Sequence, residues 1–213
     1  KLLLISEKEI KNLIKNNEIP NIVLNDKHLF NKQQIIEWAL TKNLTLNIGN
    51  SDKLSEYNIS TINNLLSEKS FYYYCDFNES NYIDKMTDLL NIDADKEIIS
   101  ALLHNRESLM STSIGNGISL PHPRVPILLG QEKPLVNFFF TKEPLKIDSI
   151  DGKPVHTFIL IISQSIKQHL SILAHLGYLL SKELFRFALE KRLNYIEIID
   201  IIIKTEEEKN NNR

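Results

Sequence analysis

Cysteine is almost absent from this 213-residue chain, which holds only Cys75. That excludes an internal disulfide framework and fits a reducing compartment. Charge of one sign is also missing: 25 Lys and Arg against 27 Asp and Glu leave a formal net charge of −2. The whole chain is therefore no generic polyanion binder. Long apolar runs are lacking too. The longest, Phe158–Ile162, has the length of a strand and is far short of the roughly 20 residues that span a bilayer. No secretory signal is visible, so a cytoplasmic protein without membrane insertion is expected. No HExxH motif, cysteine pair or carboxylate cluster stands at metal-ligand spacing, and neither a metal nor a cofactor is expected. The chain opens on Lys1 rather than methionine, so a start further upstream is expected.

The 42% hydrophobic content is enough for one ordinary core and a small extra module. Residues 1–45 form that module. Ser6 with Glu9 is a capping box, predicting a helix to about Lys15 with Ile10, Leu13 and Ile14 on its apolar face. Ile22–Leu24 and His28–Phe30 around a turn at Asn25–Lys27 predict a hairpin. Asn31 then caps a helix through Leu40, with Ile35, Ile36, Trp38 and Ala39 partly buried. Residues 46–62 read as a linker and 206–213 as a disordered tail.

Residues 63–205 read as the main domain. Strands are predicted at Phe71–Tyr74, Ile118–Leu120, Leu135–Phe140 and Val155–Ile162, the last two apolar enough to be covered on both faces. Helices are predicted after Asn78 and Asp93 as caps, with Ile83, Met86 and Leu90 inward on the first and Ile98, Ile99, Leu102 and Leu103 inward on the second. Another starts at a second capping box, Ser165 with Gln168, and buries Leu170, Leu173, Gly177 and Leu180; two more lie near 182–190 and 195–204. The pattern predicts an α/β fold, a mixed-sheet sandwich with helices on both faces, plus a small winged-helix-like N-terminal module.

The most informative stretch is Arg106–Arg124. It sets His122 between Pro121 and Pro123, at the end of a short apolar run and downstream of a polar Gly-Asn-Gly turn. Neutral imidazole is a nucleophile near pH 7 without an auxiliary base. Phosphoryl transfer needs positioning and charge stabilisation above all. Arg106 can supply a cationic fork, and Ser111, Thr112, Ser113, Asn116 and Gly117 can donate hydrogen bonds to phosphate oxygens. The two prolines stiffen the chain and are expected to present His122 as an exposed nucleophile.

This segment resembles R-E-x-x-x-S-T-x-I-G-x-G-I-A-(I/L)-P-H, the phosphorylation-site motif of the enzyme IIA proteins of the bacterial sugar phosphotransferase system, fructose/mannitol and nitrogen-regulatory type. The resemblance extends along about 63–205. It implies a phosphotransferase with a phosphohistidine intermediate: His122 accepts from phospho-HPr or a paralogue and passes the group to an enzyme IIB partner, or its state serves as a signal to a regulatory target protein. It further implies that Arg106 is the active-site arginine and His169 the second active-site histidine. Ser119 stands where the family has alanine, and Pro123 where glycine is common. His156 is read as a satisfied core residue, His104 and His175 as structural or solvent-facing, and Cys75 as a plain core or edge residue.

The N-terminal module resembles the excisionase-type winged helix-turn-helix family, through Leu3–Ile10, Asn17–Pro20, Phe30–Lys32 and Ile35–Trp38. The resemblance makes DNA a candidate partner, with Lys8, Lys11 and Lys15 as a stripe along one helix. A solvated helix face, or a docking and dimerising role, fits the weak charge equally. With no enzyme IIB or IIC segment recognisable, the favoured expectation is a regulatory enzyme IIA. The alternatives are a sugar-uptake enzyme IIA acting on a separate enzyme IIB, and a transcription regulator with a sensing enzyme IIA-like domain.

Overall fold

The computed structural model describes residues 5–24, 27–30, 32–42, 44, 61–127 and 134–211. In the N-terminal unit, α1 (Glu7–Lys15) begins at Ser6. The Ser6 hydroxyl accepts the Glu9 N–H while the Glu9 carboxylate accepts the Ser6 N–H, so the reciprocal cap is complete. β1 (Ile22–Leu24) and β2 (Lys27–Leu29) pair antiparallel, and α2 (Lys32–Thr41) follows. The expected turn residues Asn25 and Asp26, the expected cap Asn31 and the linker as far as residue 60 lie outside the described residues. Ile19, Ile35, Trp38 and Ala39 make a small core between α1 and α2.

The main unit opens with two short 3-10 turns, Ile62–Leu65 and Glu68–Ser70, that lead into β3 (Phe71–Cys75). Then come α3 (Tyr82–Leu89), α4 (Lys96–Leu109), β4 (Ser113–Gly115), β5 (Ile118–Ser119), β6 (Leu135–Leu145) and β7 (Val155–Ile162). α5 (Ile166–Ser181), α6 (Glu183–Glu190) and α7 (Tyr195–Asn211) finish it. The sheet order is β3-β6-β7-β5-β4. β3 with β6 and β5 with β7 are parallel; β6 with β7 and β4 with β5 are antiparallel.

The apolar runs of β6 and β7 explain the sandwich. Side chains alternate between faces, and here both faces are covered. Phe138, Phe140, Ile159 and Ile161 pack with Leu173, Phe185 and Ile198 of α5–α7. Phe139, Phe158, Leu160 and Ile162 pack with Ile83, Met86, Ile99 and Leu103 of α3 and α4. Each fully buried aromatic or aliphatic side chain contributes about 1.5–3 kcal/mol. β3 adds a ladder of stacked rings, Phe71 on Phe138, Tyr72 on Phe139 and Tyr73 on Phe140, with centroids 4.8, 4.6 and 4.9 Å apart.

Several sequence expectations need correction. Asn78 does not cap α3: residues 78–81 close into a turn, the Asn81 N–H donating to the Asn78 carbonyl, and Asn81 takes the cap position. Asp95, not Asp93, caps α4, accepting the N–H groups of Glu97 and Ile98. Packing of α4 on α3 and the sheet buries Ile99 and Leu103, while Leu102 is half-buried and Ile98 is 56% exposed. The Ser165 hydroxyl caps α5, but the Gln168 side chain bonds the Gln164 N–H rather than closing a box. β4 is a strand that the polar reading of residues 111–117 did not anticipate. The expected disordered tail is helical through Asn211, and Glu206 is buried, its carboxylate accepting the Ile62 N–H at 3.0 Å.

The two units are also joined in a way the linker reading did not suggest. α2 packs on α5 and β4, and Ile36, fully buried, belongs to the core of the main unit. α2 thus buries two faces, Ile35, Trp38 and Ala39 toward its own unit and Ile36 toward the other.

Candidate functional site

The β4–β5 hairpin delivers the chain to His122. Its turn runs Gly115-Asn116-Gly117, all with positive φ (84°, 54° and 70°), which glycine and asparagine tolerate best. β5 lies parallel to β7, with Ile118 opposite Thr157 and Ser119 opposite Phe158. Just beyond β5, the Pro121 carbonyl accepts the Ile161 N–H at 2.9 Å, tying the proline to β7. His122 follows directly.

The Nδ1 of His122 is 2.7 Å from the Leu120 carbonyl oxygen. A carbonyl only accepts, so Nδ1 carries the proton and the lone pair of the neutral ring is on Nε2. The ring of His169 stands 4.9 Å away between centroids, tilted by 45°. His169 is in the first turn of α5, directly after β7, because Ser165 fixes where that helix starts. His122 is not exposed as the sequence suggested: it retains 3% of its accessible surface, and His169 beside it 4%. The prolines hold His122 in place, but packing against the end of the sheet and α5 encloses it.

Arg106 lies in the last turn of α4, 7% exposed, and its Nη1 donates to the Met110 carbonyl at 2.6 Å. The hydroxyls expected to bind phosphate have partners in the fold. Ser111 Oγ donates to the Asp148 carbonyl at 2.6 Å, and Ser113 Oγ reaches the Ile118 carbonyl at 3.4 Å. Thr112 Oγ1 donates to Glu107 at 2.6 Å. Asn116 and Gly117 line, with Lys153, His156 and Arg186, an open hollow of about 560 Å³. The Asn116 N–H donates to Asp151 Oδ2 at 2.8 Å. Burial raises the Asp151 pKa, but this amide, the Lys153 N–H and the Lys153 charge outweigh it and hold the carboxyl below its usual range.

The remaining candidates are placed as follows. His156 is half-buried, its Nδ1 2.8 Å from Thr157 Oγ1, and burial lowers its pKa. His104 pairs with Asp84 at 3.0 Å, and His175 Nδ1 donates to the Ser171 carbonyl at 2.9 Å. Cys75 is buried, which pushes its thiol up to about 11 and keeps it protonated. Lys8, Lys11 and Lys15 are exposed on α1, whose first turn also carries Glu7 and Glu9. Among the described residues, no three His, Cys, Asp or Glu side chains gather as a metal site, and no helix is long and apolar enough to cross a membrane. Sequence reasoning missed Glu107 and the Leu120 carbonyl. Glu107 stood beside Arg106 in the quoted motif; nothing in a sequence marks a carbonyl.

The fold is thus a mixed five-stranded sheet between two helical layers, with the imidazoles of His122 and His169 side by side at the end of its β5–β7 pair. The family model described as "Phosphoenolpyruvate-dependent sugar phosphotransferase system, EIIA 2" matches residues 78–205, and the chain belongs to that family. It is 32% identical over 129 residues to the PTS system fructose-specific EIIABC component of Bacillus subtilis, a match covering 58% of this chain and 20% of that protein. It is 33% identical over 90 residues to the nitrogen regulatory protein of Pseudomonas aeruginosa, covering 41% of this chain and 56% of that one. The chain thus spans about a fifth and about half of these relatives' lengths. In fold it is similar to the nitrogen regulatory protein IIA-Ntr of Neisseria meningitidis (TM-score 0.58, 24% identity, 66% of this chain and 98% of that one). It is also similar to IIA mannitol of Escherichia coli (TM-score 0.53, 17% identity, 64% and 98%).

Proposed function

We propose that this chain is a phosphohistidine carrier of the phosphotransferase system, with His122 as the acceptor. The observation that carries this is the Leu120 carbonyl holding Nδ1–H at 2.7 Å, which leaves Nε2 as the nucleophile. Its lone pair attacks the phosphorus of a phosphohistidine on an HPr-like carrier. A new N–P bond forms as the donor's N–P bond breaks, and the donor imidazole leaves with that electron pair. His122 becomes a phosphoimidazolium whose Nδ1–H bond to Leu120 strengthens with the positive charge. His169, and behind it the amide end of the 16-residue α5, stabilise the phosphoryl oxygens. As the family resemblance implies, Arg106 supplies positive charge to the phosphoryl group. With 3% of the residue exposed, the docking donor must displace what covers the ring before in-line attack.

The phosphoryl group then passes to an enzyme IIB cysteine or stays as a signal read by a regulatory target. The regulatory use is favoured by one feature: Ile36 of the N-terminal unit is buried in the core of the unit that carries His122, so the two units share a packed interface through which a state of one could be read by the other. Incubation with labelled phospho-HPr tests the carrier. Label on the wild type and none on His122→Ala is expected; equal label on both removes His122 from the reaction.

A further inference from the structure

We propose that Glu107 and Thr112 are positioning residues for His122: they hold the backbone at Leu120 so that its carbonyl keeps the imidazole proton on Nδ1 and the nucleophilic lone pair on Nε2. The proposal rests on the reading of His122 as the phosphoacceptor.

A continuous run of hydrogen bonds connects these groups. Glu107, half-buried near the end of α4, accepts the Thr112 N–H on both carboxylate oxygens, at 3.2 and 3.1 Å, and the Thr112 hydroxyl at 2.6 Å. The buried Tyr82 of α3 lies close enough for the Glu107 charge to help raise its pKa, behind burial as the main cause. Ser119 Oγ is 3.0 Å from Thr112 Oγ1. The one proton of the threonine goes to the carboxylate, so the serine donates. The Thr112 carbonyl then accepts the Leu120 N–H at 3.0 Å. Leu120 presents its own carbonyl to His122 Nδ1 at 2.7 Å.

The Leu120 carbonyl belongs to the peptide bond with Pro121, which has no N–H to compete for partners. Its direction depends on the groups on either side. One is the Leu120 N–H, fixed by Thr112; the other is the Pro121 carbonyl, fixed by the Ile161 N–H at 2.9 Å. β7 provides the second anchor, and Glu107 through Thr112 provides the first. Loosening the first lets the carbonyl turn away. The ring can then carry its proton on Nε2, where it blocks attack. Ser119, where the resemblance predicts alanine, adds a further donor to this chain and ties β5 into it.

The positioning role is separable from a merely structural one. Nitrogen NMR of the wild-type protein should report His122 with Nδ1–H and an unprotonated Nε2; an Nε2–H ring in the wild type overturns the proposal without any variant. Thr112→Val and Glu107→Gln should move the His122 ring nitrogens toward mixed tautomers. Both should slow the maximal single-turnover transfer from phospho-HPr about 10- to 100-fold while the donor concentration for half-maximal rate stays put. Thr112→Ser, which keeps the hydroxyl, should recover most of the rate and the Nδ1–H signature. Wild-type tautomer and rate in Thr112→Val overturns the proposal, and that variant decides alone if Glu107→Gln does not fold. His122→Ala that still takes full label would instead sink the acceptor reading, while the tautomer measurement would still judge the positioning.

Discussion

A methyl group on Gly117 would lie 2.3 Å from Cδ2 of His156 and 2.5 Å from its Nε2. The Gly117 carbonyl also accepts the N–H groups of His156 and Thr157, at 2.8 and 3.1 Å. The turn before β5 is therefore pressed against β7, and this contact sets the height at which the chain arrives at His122.

Gly117→Ala should cost about 2–4 kcal/mol, from a positive φ that alanine resists and from the collision with His156. The two backbone bonds prevent the turn from backing away. Adding His156→Ala should recover the collision part and leave the backbone part. Urea denaturation of the single and double variants measures both, and no recovery would place the strain elsewhere.

His156 should make folding stability fall on mild acidification. Burial is the main cause of its lowered pKa; the Glu190 charge opposes that shift and Arg192 adds to it. A histidine with a lowered folded pKa takes up its proton first in the unfolded chain. Its contribution is complete above the ordinary value of 6.5 and declines as pH drops from there through the lower, folded pKa. His156→Gln should flatten the stability profile in that window. An unchanged profile would mean the folded ring titrates normally.

Arg106→Ala should lose stability as well as activity. The guanidinium is buried and bonds the Met110 carbonyl, so truncation removes a charge-assisted hydrogen bond and the packing of a buried side chain, at about 1–3 kcal/mol. Transfer should slow by more than the unfolded fraction accounts for. If the rate is restored once that fraction is corrected for, Arg106 only caps α4.

On the proposed reading, His169→Ala should still accept label on His122 but alter onward transfer, because the imidazole beside His122 is lost while Leu120 still holds Nδ1–H. Pulse-chase with an enzyme IIB domain checks this, and label found on His169 in the wild type would exchange the two roles.

Ile36→Ala should destabilise the main unit by about 2–5 kcal/mol, although α2 belongs to the N-terminal unit. Thermal unfolding followed at the single tryptophan, Trp38, and by far-ultraviolet dichroism should shift together. A shift in the tryptophan signal alone would show that the two units melt independently.

Much of this was legible from local chemistry. Ser6 with Glu9 and Ser165 ahead of α5 mark helix starts because a side-chain oxygen must satisfy amides that have no partner within the helix. Phe138–Phe140 and Phe158–Ile162 read as covered strands because no polar position interrupts them. What failed was local geometry with close competitors. Asp93 and Asp95 are both good caps, and Ile98, Ile99, Leu102 and Leu103 are apolar over a wider arc than the core covers, so local pattern could not tell that Ile98 lies outside it. Residues 113–115 are too short and too polar for a strand signal, and only pairing with β5 makes them one.

The identity of the chain's chemistry was written in the order of its residues: Arg-Glu, Ser-Thr, Gly-Asn-Gly and Pro-His, together with two apolar strands, specify an imidazole at the edge of a doubly covered sheet. Tertiary structure alone decided the rest, namely that the ring is enclosed, that its proton is held by the Leu120 carbonyl, that Thr112 answers to Glu107, and that Ile36 crosses into a second core. Those outcomes depend on groups far apart in the chain, or on backbone atoms every residue shares, and neither leaves a mark in residue type or spacing.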